Sequence, residues 1–596
     1  MEALKFMSKA KGCFLFSIIG FLAVLCTMAV QILTENGNIV WTLSFTGKLL
    51  IVSLLAGTIG GSLLYYTFLA VMHLMEKKTV RLNRSWTQPV AHRKRFFLLS
   101  WLGIFLCWFP AYLAYYPAIC SYDMTIQLGQ ITEYAYNDHH PIFHTLLIQG
   151  FMEFGKWLGN VNIGIGLYAL AQMLLLSGAM AFCLFLLSGC GVKKGWLAGL
   201  LIYGSIFPFH MYMSISVTKD TVFSAFLLVQ LVLMTVLLKR GRNGLKPVAL
   251  DWCYMISGLG VVIFRSNGKY AMMVAAVFLV AAWLFGKKYR RLYARILLQT
   301  IVAMVAGSML LSGIFQITNA EQGDRREMLS VPIQQLARTY VYHGGAGVVP
   351  EDDNTMSAED KALINDFILN EAYREYRPDI ADPVKRNTNT YVARYRMKEF
   401  LSTYIGLFLQ YPGDYINAVL ATNAGYLSPG DTSHAVINVN GRDRGLGYIQ
   451  TRWVENELNP AGIYKDSKWE WLHEKLEDFA DSNGYLQIPV LKYLMVPGSY
   501  LWLYLILAAW LVVNRRYRQL LPLSLVMGYY LTLFLGPTVQ LRYLYPLMIA
   551  LPFLAVLCGS GLSSVSCSGL SGSCLSSMSG SVGSCISSGP KSRRSK

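Results

Sequence analysis

Long apolar stretches separated by shorter polar segments make up most of this chain. We count twelve, each close to the 17–25 residues that an α-helix needs to cross a hydrocarbon core of roughly 30 Å. They are residues 13–33, 46–75, 96–116, 164–188, 196–215, 221–238, 248–264, 270–286, 296–315, 491–513, 520–536 and 541–558. The pattern predicts an all-α polytopic membrane protein with about twelve transmembrane helices.

Polar segments divide the chain into four parts. Residues 1–315 form an N-terminal transmembrane module with a first outer loop over 117–163, and residues 491–558 form the C-terminal transmembrane helices. Between them, residues 316–490 are polar enough to form a mostly helical domain outside the membrane. Residues 559–596 are dominated by Ser, Gly and Cys, cannot form a core, and are expected to be disordered.

Local patterns predict helices in both outer segments. A short helix over 124–136 follows Asp123 directly. A second helix over 316–341 contains Pro332, which should break or kink it. Residues 397–420 are apolar on one face and contain a Pro-Gly pair, so we expect a helix that lies on the membrane and does not cross it.

The charge distribution gives the orientation of the helices. The chain carries a formal charge of +18, yet residues 316–490 contain 17 Lys and Arg against 25 Asp and Glu, so the rest carries +26. The basic residues cluster in alternate loops, at 77–95, 239–246, 287–291 and 515–518. By the positive-inside rule these loops are cytoplasmic. Both termini are then inside the cell, and the first outer loop and residues 316–490 are outside.

Composition excludes two broad classes of protein. Hydrophobic residues make up 54% and charged residues 14% of the chain, and its basic loops face anionic lipid, so the positive charge does not indicate a nucleic-acid-binding protein. The chain has 11 Cys, but residues 316–490 contain none, so disulfides do not staple the outer domain.

Carboxylates are rare outside residues 316–490. The rest of the chain has nine, and four of these, Asp123, Glu133, Asp138 and Glu153, fall in the first outer loop. Asp123 precedes the predicted short helix, where a carboxylate can cap backbone N–H groups and meet the positive end of the helix dipole. A carboxylate fixed in this way is also suited to act as a general base. The two roles are compatible, and both stay open.

Further polar residues follow Asp123 in the same loop. The candidate substrate-binding residues here are Tyr122, Asn137, Asp138, His139, His140 and His144. His140 and His144 are four residues apart and share one face of a helix, but the acid that accompanies such a pair in zinc sites is missing. A weaker divalent-cation site built from Asp123, Asp138 and His140 is the metal alternative, and no other cofactor is expected.

Cations stand where the positive-inside rule disfavours them. Lys219, next to Asp220, and Arg265 and Arg542 lie at the outer ends of apolar stretches. A charge so close to hydrocarbon is costly unless it is paired or hydrated. Snorkelling to the interface or pairing with Asp220 would satisfy these cations, and so would a phosphate group at the outer leaflet.

A carboxylate that faces a cationic phosphate site suits one class of reaction. In the displacement of a lipid phosphate from a sugar, the carboxylate takes the proton of an acceptor hydroxyl. The cations meanwhile stabilise the charge on the departing phosphate.

The chain resembles the polytopic glycosyltransferases of the GT-C superfamily. Within it, the chain is similar to bacterial membrane proteins that carry Tyr-Pro-x-x-x-Ser-Tyr-Asp followed by His-His-Pro. The matching residues are Tyr116, Pro117, Ser121, Tyr122 and Asp123, then Asn137, His139, His140, Pro141 and His144, then Thr218-Lys219-Asp220, Arg265-Ser266-Asn267-Gly268, Leu329-Ser330-Val331-Pro332-Ile333-Gln334-Gln335 and Arg542-Tyr543. The similarity extends over most of residues 96–558.

This resemblance implies a polyprenyl-phosphate-linked sugar donor, inversion at the sugar, and Asp123 as the base. The partners would then be membrane lipids and an envelope glycan or glycolipid acceptor. Asn267, Gln334 and Arg338 join the candidate substrate-binding residues. The paired Asp-x-Asp of some relatives is absent, which leaves metal dependence open.

Two rival functions remain at this point. A transporter or flippase of a lipid-linked envelope precursor would also handle lipid phosphates, but such proteins usually place ionisable residues in the middle of the membrane. The predicted spans here carry their charges at the outer ends, which favours chemistry at one face. The third possibility is a membrane scaffold whose outer domain binds a partner.

Overall fold

The computed structural model describes residues 2–78, 90–120, 122–240, 248–321, 325–430, 458–482 and 484–559. Within these ranges the chain is helical, and β-bridges occur only between isolated residues. The α-helices in chain order are α1 (Glu2–Asn36), α2 (Leu43–Lys78), α3 (Val90–Ala114), α4 (Tyr122–Glu133), α5 (Ile142–Trp157), α6 (Val161–Gly189), α7 (Lys194–Ile206), α8 (Pro208–Ile215), α9 (Lys219–Arg240), α10 (Val248–Phe264), α11 (Ser266–Phe285), α12 (Arg290–Thr318), α13 (Ser330–His343), α14 (Ala358–Phe367), α15 (Asp382–Lys385), α16 (Thr390–Tyr395), α17 (Met397–Gln410), α18 (Pro412–Thr422), α19 (Ala424–Leu427), α20 (Glu470–Asp481), α21 (Pro489–Leu494), α22 (Pro497–Val513), α23 (Leu521–Phe534) and α24 (Leu541–Gly559). Short 3₁₀ turns cover Lys287–Tyr289, Arg325–Leu329, Leu369–Glu375, Asn459–Ala461, Gly484–Gln487 and Tyr517–Leu520.

Eight helical segments among the described residues are long and apolar enough to cross a membrane. They are Ala10–Asn36, Leu43–Ala70, His92–Ala114, Val161–Gly189, Lys219–Lys239, Ser266–Phe285, Lys287–Thr318 and Leu541–Gly559. A ninth would be the pair α7 and α8, which are bent by 53° relative to each other. The bend comes directly before Pro208, which has no backbone N–H with which to continue the first helix. These helices are those of a multi-pass membrane protein.

The other three predicted spans are helical but short. The helices α10 and α22 have 17 residues each and α23 has 14. At a rise of 1.5 Å per residue, α23 covers about 21 Å, which is less than the roughly 30 Å of a hydrocarbon core. The prediction of twelve spans is therefore confirmed only in part.

The helix α9 is the centre of the transmembrane part. In its most apolar 18-residue segment, 89% of the residues are buried, because the helix packs against α6, α10 and α24. The helices α1 and α2, at the periphery, pack mainly against each other. Large apolar side chains such as Leu43 and Ile51 are exposed on their surface, as expected of a face that contacts lipid. The first residues of α9, Lys219 and Asp220, therefore lie in the interior of the molecule.

Helices α13 to α18 build a second, smaller core, which includes Ile333, Phe367 and Tyr415. We call this part the outer domain, after the position that the sequence predicts for it. Ser357 accepts a hydrogen bond from the backbone N–H of Asp360 and caps α14. One prediction for this region is wrong in its bounds. The helix expected over 316–341 is divided between α12 and α13, and Pro332 does not kink it, because it lies in the first turn of α13, where a missing N–H is tolerated.

Other expected helices also differ in their bounds. The apolar segment 397–420 forms two helices that meet at Tyr411, because Pro412 begins α18. The short helix of the first outer loop is α4, which ends at Glu133, before the positive φ of Tyr134. The prediction of a disordered tail concerns residues that, from 560 onward, lie outside the described part of the chain.

Candidate functional site

A pair of backbone hydrogen bonds aligns the two segments that carry the site. The backbone N–H of Ile119 donates to Ile215 O at 3.0 Å, and that of Val217 donates to Ile119 O at 2.9 Å. Asp123 follows a few residues after the first segment and Lys219 directly after the second. The bridge thus brings the start of α4 beside the start of α9.

Asp123 lies between two cations in the interior of the protein. Its Oδ2 accepts hydrogen bonds from Lys219 Nζ at 2.9 Å, and Arg542 Nη1 lies 2.9 Å from the same atom. Arg542 Nη2 donates to Asp123 Oδ1 at 3.0 Å, so the guanidinium contacts both carboxylate oxygens. The N-cap position expected for Asp123 is wrong, because α4 already begins at Tyr122 and Asp123 is its second residue, although the carboxylate still lies in the first turn. The residue is only 4% exposed.

Asp220 lies near Arg542, which it shares with Asp123, and adds a further guanidinium group, that of Arg265. Arg265 donates to Asp220 Oδ1, and Arg542 Nη1 lies 3.9 Å from Asp220 Oδ2. The guanidinium carbons of Arg265 and Arg542 lie 4.6 and 4.9 Å from the ring centre of Tyr543. We call Asp123, Lys219, Asp220, Arg265 and Arg542 the ion cluster. It contains three cations and two carboxylates, and its formal charge is +1.

The charges of the ion cluster fix the ionisation of Asp123. Burial raises the pKa of the Asp123 carboxyl, but the neighbouring charges of Arg542 and Lys219 outweigh this effect and hold the pKa well below its usual range. Asp123 is therefore an ionised counter-ion in this state. A carboxylate with a pKa held this low is a weak base as long as both cations stay beside it.

His140 presents a donor at the edge of the ion cluster. Burial and the charge of Lys219 hold the pKa of its imidazole well below the usual range, so the ring is neutral. Lys219 Nζ lies 2.7 Å from His140 Nδ1, and an ammonium group can only donate, so Nδ1 accepts and the proton is on Nε2. This Nε2 is buried and has no hydrogen-bond partner among the described residues. It is available to donate to a ligand.

His144 does not touch the ion cluster but belongs to a buried hydrogen-bond chain beside it. Gln127 Nε2 lies 3.0 Å from His144 Nδ1, and His144 Nε2 lies 2.7 Å from the hydroxyl of Tyr168. Tyr168 donates to Gln172 Oε1 at 3.0 Å, and Gln172 Nε2 donates to the carbonyl oxygen of Ser216 at 2.7 Å. Burial lowers the pKa of His144 to about 3, so this histidine is a neutral link. The chain ties α4, α5 and α6 to the segment that leads into Lys219.

Sequence reasoning missed the residues that support the site from within the helices. Tyr168 and Gln172 are four apart in an otherwise apolar span, and that polar pair was the signal that could have identified them. Gln540 was also missed, although its Oε1 accepts from Arg542 Nε at 2.8 Å.

The remaining predicted residues of the first outer loop and of α11 are close in sequence to His140 and Arg265. Asn137 Oδ1 accepts from Gln130 Nε2 at 2.9 Å and from the backbone of His139 at 3.1 Å, which shapes the turn before α5. Asp138 and His139 are exposed on that turn. Asn267 is half-buried in the first turn of α11, two residues after Arg265. Tyr122 begins α4, but its side chain is outside the described part of the structure.

Gln334 and Arg338 belong to a different cluster. Gln334 Nε2 donates to Arg377 O at 2.8 Å within the outer domain. Arg338 Nε donates to Asp414 Oδ1 at 3.1 Å, and its Nη2 donates to Asn38 Oδ1 at 2.7 Å in the turn between α1 and α2. Their hydrogen bonds hold the outer domain together and attach it to that turn.

The residues of the first outer loop do not fit the divalent-cation hypothesis. Lys219 Nζ is within hydrogen-bond distance of both Asp123 and His140, so a positive charge already lies where a metal would bridge these two ligands. Asp138 is exposed on the turn. No group of three or more His, Cys, Asp or Glu in the described ranges is arranged to hold a metal ion.

Comparison with known proteins gives a family but no assigned activity. None of the curated proteins and none of the solved structures matches the chain. A family of unknown function, DUF6020, matches residues 131–561, a region that includes His140, Lys219, Arg265 and Arg542 and begins shortly after Asp123. The match covers well over half of the 596 residues, and the chain therefore belongs to the DUF6020 family of unknown function.

Proposed function

We propose that this protein is a membrane glycosyltransferase that moves a sugar from a polyprenyl-phosphate donor to a glycan or glycolipid of the cell envelope. Asp123 acts as the base, at the outer face of the membrane. The observation that carries the proposal is that Asp123 shares one buried cluster with Lys219 and Arg542, with direct contacts of 2.9 and 3.0 Å. The resemblance to GT-C glycosyltransferases, a prediction from the sequence, supports the same function.

The formal charge of the ion cluster suits such a donor. A sugar linked to a lipid through one phosphate is a phosphodiester with a single negative charge, which the +1 of the cluster balances. A sugar linked to the lipid through a diphosphate would carry more negative charge than the net +1 of the cluster can balance. The unpartnered Nε2–H of His140 offers the phosphate an additional neutral donor.

The proposed reaction keeps this balance. The phosphate accepts hydrogen bonds from Lys219 and Arg542, their hold on Asp123 weakens, and the pKa of Asp123 rises. The acceptor hydroxyl then loses its proton to Asp123 and forms a bond to the anomeric carbon, while the bond from that carbon to the phosphate oxygen breaks. The departing phosphate gains one negative charge as Asp123 loses one, and the cations of the cluster stabilise the new charge.

The proposal includes the finer topology. All twelve apolar helical stretches cross the membrane, both termini are cytoplasmic, and residues 316–490 form an extracytoplasmic domain. The short helix α23 gains length from the 3₁₀ turn Tyr517–Leu520, which adds about 8 Å at 2.0 Å per residue. Arg516 and Arg518 at this end are then at the cytoplasmic surface, in agreement with the positive-inside rule.

One observation favours a flippase of lipid-linked precursors as the second candidate. The bent pair α7 and α8 is a discontinuous helix, and transporters commonly build substrate sites from such helices. Transporters place these sites near the middle of the membrane, whereas the ion cluster lies at helix ends. We therefore rank the transferase first.

The proposal is tested by deleting the gene and complementing the deletion strain with the wild-type protein or its variants. With wild-type protein, mass spectrometry of envelope glycans and glycolipids should show a sugar that the deletion strain lacks. Asp123→Asn should fail to restore it, with a loss of about 10²–10⁴-fold in transfer rate, the usual share of a general base. The matched control is Glu133→Gln, an exposed carboxylate on the same helix, which should restore the sugar fully.

The side of the membrane on which the donor accumulates separates the two candidates. A missing transferase leaves the lipid-linked sugar accessible to an impermeant oxidant from outside, whereas a missing flippase leaves it on the inner leaflet. Full sugar transfer by folded Asp123→Asn would contradict the base assignment. Accumulation on the inner leaflet would contradict the transferase.

A further inference from the structure

The helix α17 carries a stripe of large apolar side chains that no other part of the described chain covers. Met397, Leu401, Ile405, Phe408 and Leu409 are between 43% and 73% exposed. They recur at the spacing of one face of an α-helix. We call these five residues the α17 stripe. An exposed patch of this kind on an extramembrane domain marks a surface that contacts another apolar phase.

The opposite face of α17 is already in use. Phe400 and Leu407 are buried in the core of the outer domain, and Tyr404 donates a hydrogen bond to Gln335 Oε1. The helix is therefore held by one face, and the α17 stripe is a second apolar face. A helix of the same domain, α14, differs, since it exposes charged residues such as Glu359.

The position of α17 indicates what covers the stripe. The next helix, α18, packs against α1 near the outer end of that candidate span. Trp41, in the turn between α1 and α2, donates a hydrogen bond to Asn417 Oδ1 of α18 at 2.8 Å, and Phe45 of α2 packs in the same cluster as Leu420. The α17 stripe thus directly precedes, along the chain, the helix that contacts α1 and the start of α2, whose surfaces expose large apolar side chains.

Residues just before the stripe have the composition of a membrane interface. Tyr391 and Tyr395 are exposed, and their rings contact each other at a tilt of 35° with ring centres 4.5 Å apart. Arg394 and Lys398 are exposed beside them. Aromatic rings favour the headgroup level, and basic side chains favour anionic headgroups.

We propose that α17 lies in the outer leaflet of the bilayer, with its apolar stripe among the acyl chains and Arg394 and Lys398 at the headgroups. In this arrangement α17 does not span the membrane. It is a surface helix through which the outer domain contacts lipid near α1, and the contact of α18 with α1 attaches the domain to that candidate span. Contact of the α17 stripe with lipid does not depend on the proposed transferase activity, whereas the assignment to the outer leaflet rests on the orientation given under the proposed function.

Site-directed spin labelling of the full-length protein in phosphatidylethanolamine–phosphatidylglycerol nanodiscs tests the proposal. A nitroxide is attached through an encoded azidophenylalanine, because the 11 native Cys exclude simple thiol labelling. Labels replace Ile405 or Leu409, and power saturation compares collisions with oxygen, which enters lipid, and with Ni-EDDA, which stays in water. Leu55, an exposed residue of α2, is the lipid control, and Glu359 of α14 is the water control.

The expected result is an oxygen-to-Ni-EDDA collision ratio at both stripe positions close to that of Leu55, and at least several-fold above that of Glu359. A ratio equal to that of Glu359 would overturn the proposal, because the stripe would then face water. Protection from both reagents would also overturn it, because a protein, either a second copy or another partner, would then cover the stripe. The two labelled positions are separately exposed, so a folding defect in one variant leaves the other to decide.

Discussion

At the scale of single residues, the ion cluster is a balance of buried charges. Asp123, Arg542 and Asp220 are each at most 4% exposed, and each cation of the cluster has a carboxylate partner. A buried pair contributes little net stability compared with an apolar pair, but removing one partner leaves an uncompensated charge. The cluster is therefore sensitive to single substitutions and tolerant of balanced ones.

We expect Asp123→Asn to destabilise the protein by about 3–5 kcal/mol, because Lys219 loses its carboxylate while still buried. The double variant Asp123→Asn with Lys219→Met removes one charge of each sign and should recover a large part of that loss. Unfolding midpoints in detergent, compared across the wild type, both single variants and the double variant, give the coupling energy. Purely additive effects would contradict the charge balance. The double variant should still lack sugar transfer.

At the scale of elements, the contact between α5 and α6 sets the position of the histidines. A Cβ at Gly164 of α6 would lie 2.1 Å from the carbonyl oxygen of Phe151 in α5, and one at Gly155 would lie 2.5 Å from Gly164 N. The two backbones therefore touch. This close approach allows the side chain of Tyr168 to reach His144 across the interface.

Gly164→Ala should force the two helices apart and cost about 1–3 kcal/mol. Gly150→Ala on α5 is the matched control, because a Cβ there meets nothing within 4 Å and alanine favours a helix by about 0.8–1 kcal/mol. The measurement is the unfolding midpoint of each variant in the same detergent. Equal stability of the two variants would show that the α5–α6 contact can relax, against our expectation.

At the scale of the whole molecule, a polar cluster attaches the outer domain to the first two helices. Arg338 bonds to Asp414 in the domain and to Asn38 in the turn between α1 and α2. His343 bonds through Nε2 to Asp414 at 2.8 Å and through Nδ1 to Asp353 at 2.9 Å. Two carboxylates thus face the histidine, and the guanidinium of Arg338 shares one of them.

This cluster predicts a pH dependence. Burial lowers the pKa of His343, but the hydrogen bonds to Asp414 and Asp353 outweigh it and raise the pKa above its usual value. A raised folded-state pKa means that the charged ring contributes its full stability below pH about 6.5, and loses it as pH rises through the folded pKa. Unfolding midpoints of wild type and His343→Gln should therefore differ most at low pH and converge as the pH rises above the folded-state pKa of His343. A difference that is constant from pH 5.5 to 8 would contradict this role.

Much of the secondary structure and the identity of the charged residues followed from the sequence alone. Each apolar stretch is a local property, so all twelve predicted stretches are helical, and the rarity of carboxylates singled out Asp123. Bounds were less predictable near proline: Pro332 lies in the first turn of a helix that we expected it to break, because the placement of α13 depends on the outer domain around it.

The chemistry of the site was decided by the tertiary structure. Asp123 and Arg542 are 419 positions apart in the chain, and only the tertiary fold, which brings the start of α4 to the start of α24, makes one the counter-ion of the other. In the sequence, Tyr168 and Gln172 are two polar residues in an apolar span, and only the structure shows their hydrogen bonds to α5 and to the segment before α9. The reason is physical: helix formation depends on neighbouring residues, whereas the ionisation of a buried group depends on charges that distant parts of the chain bring beside it.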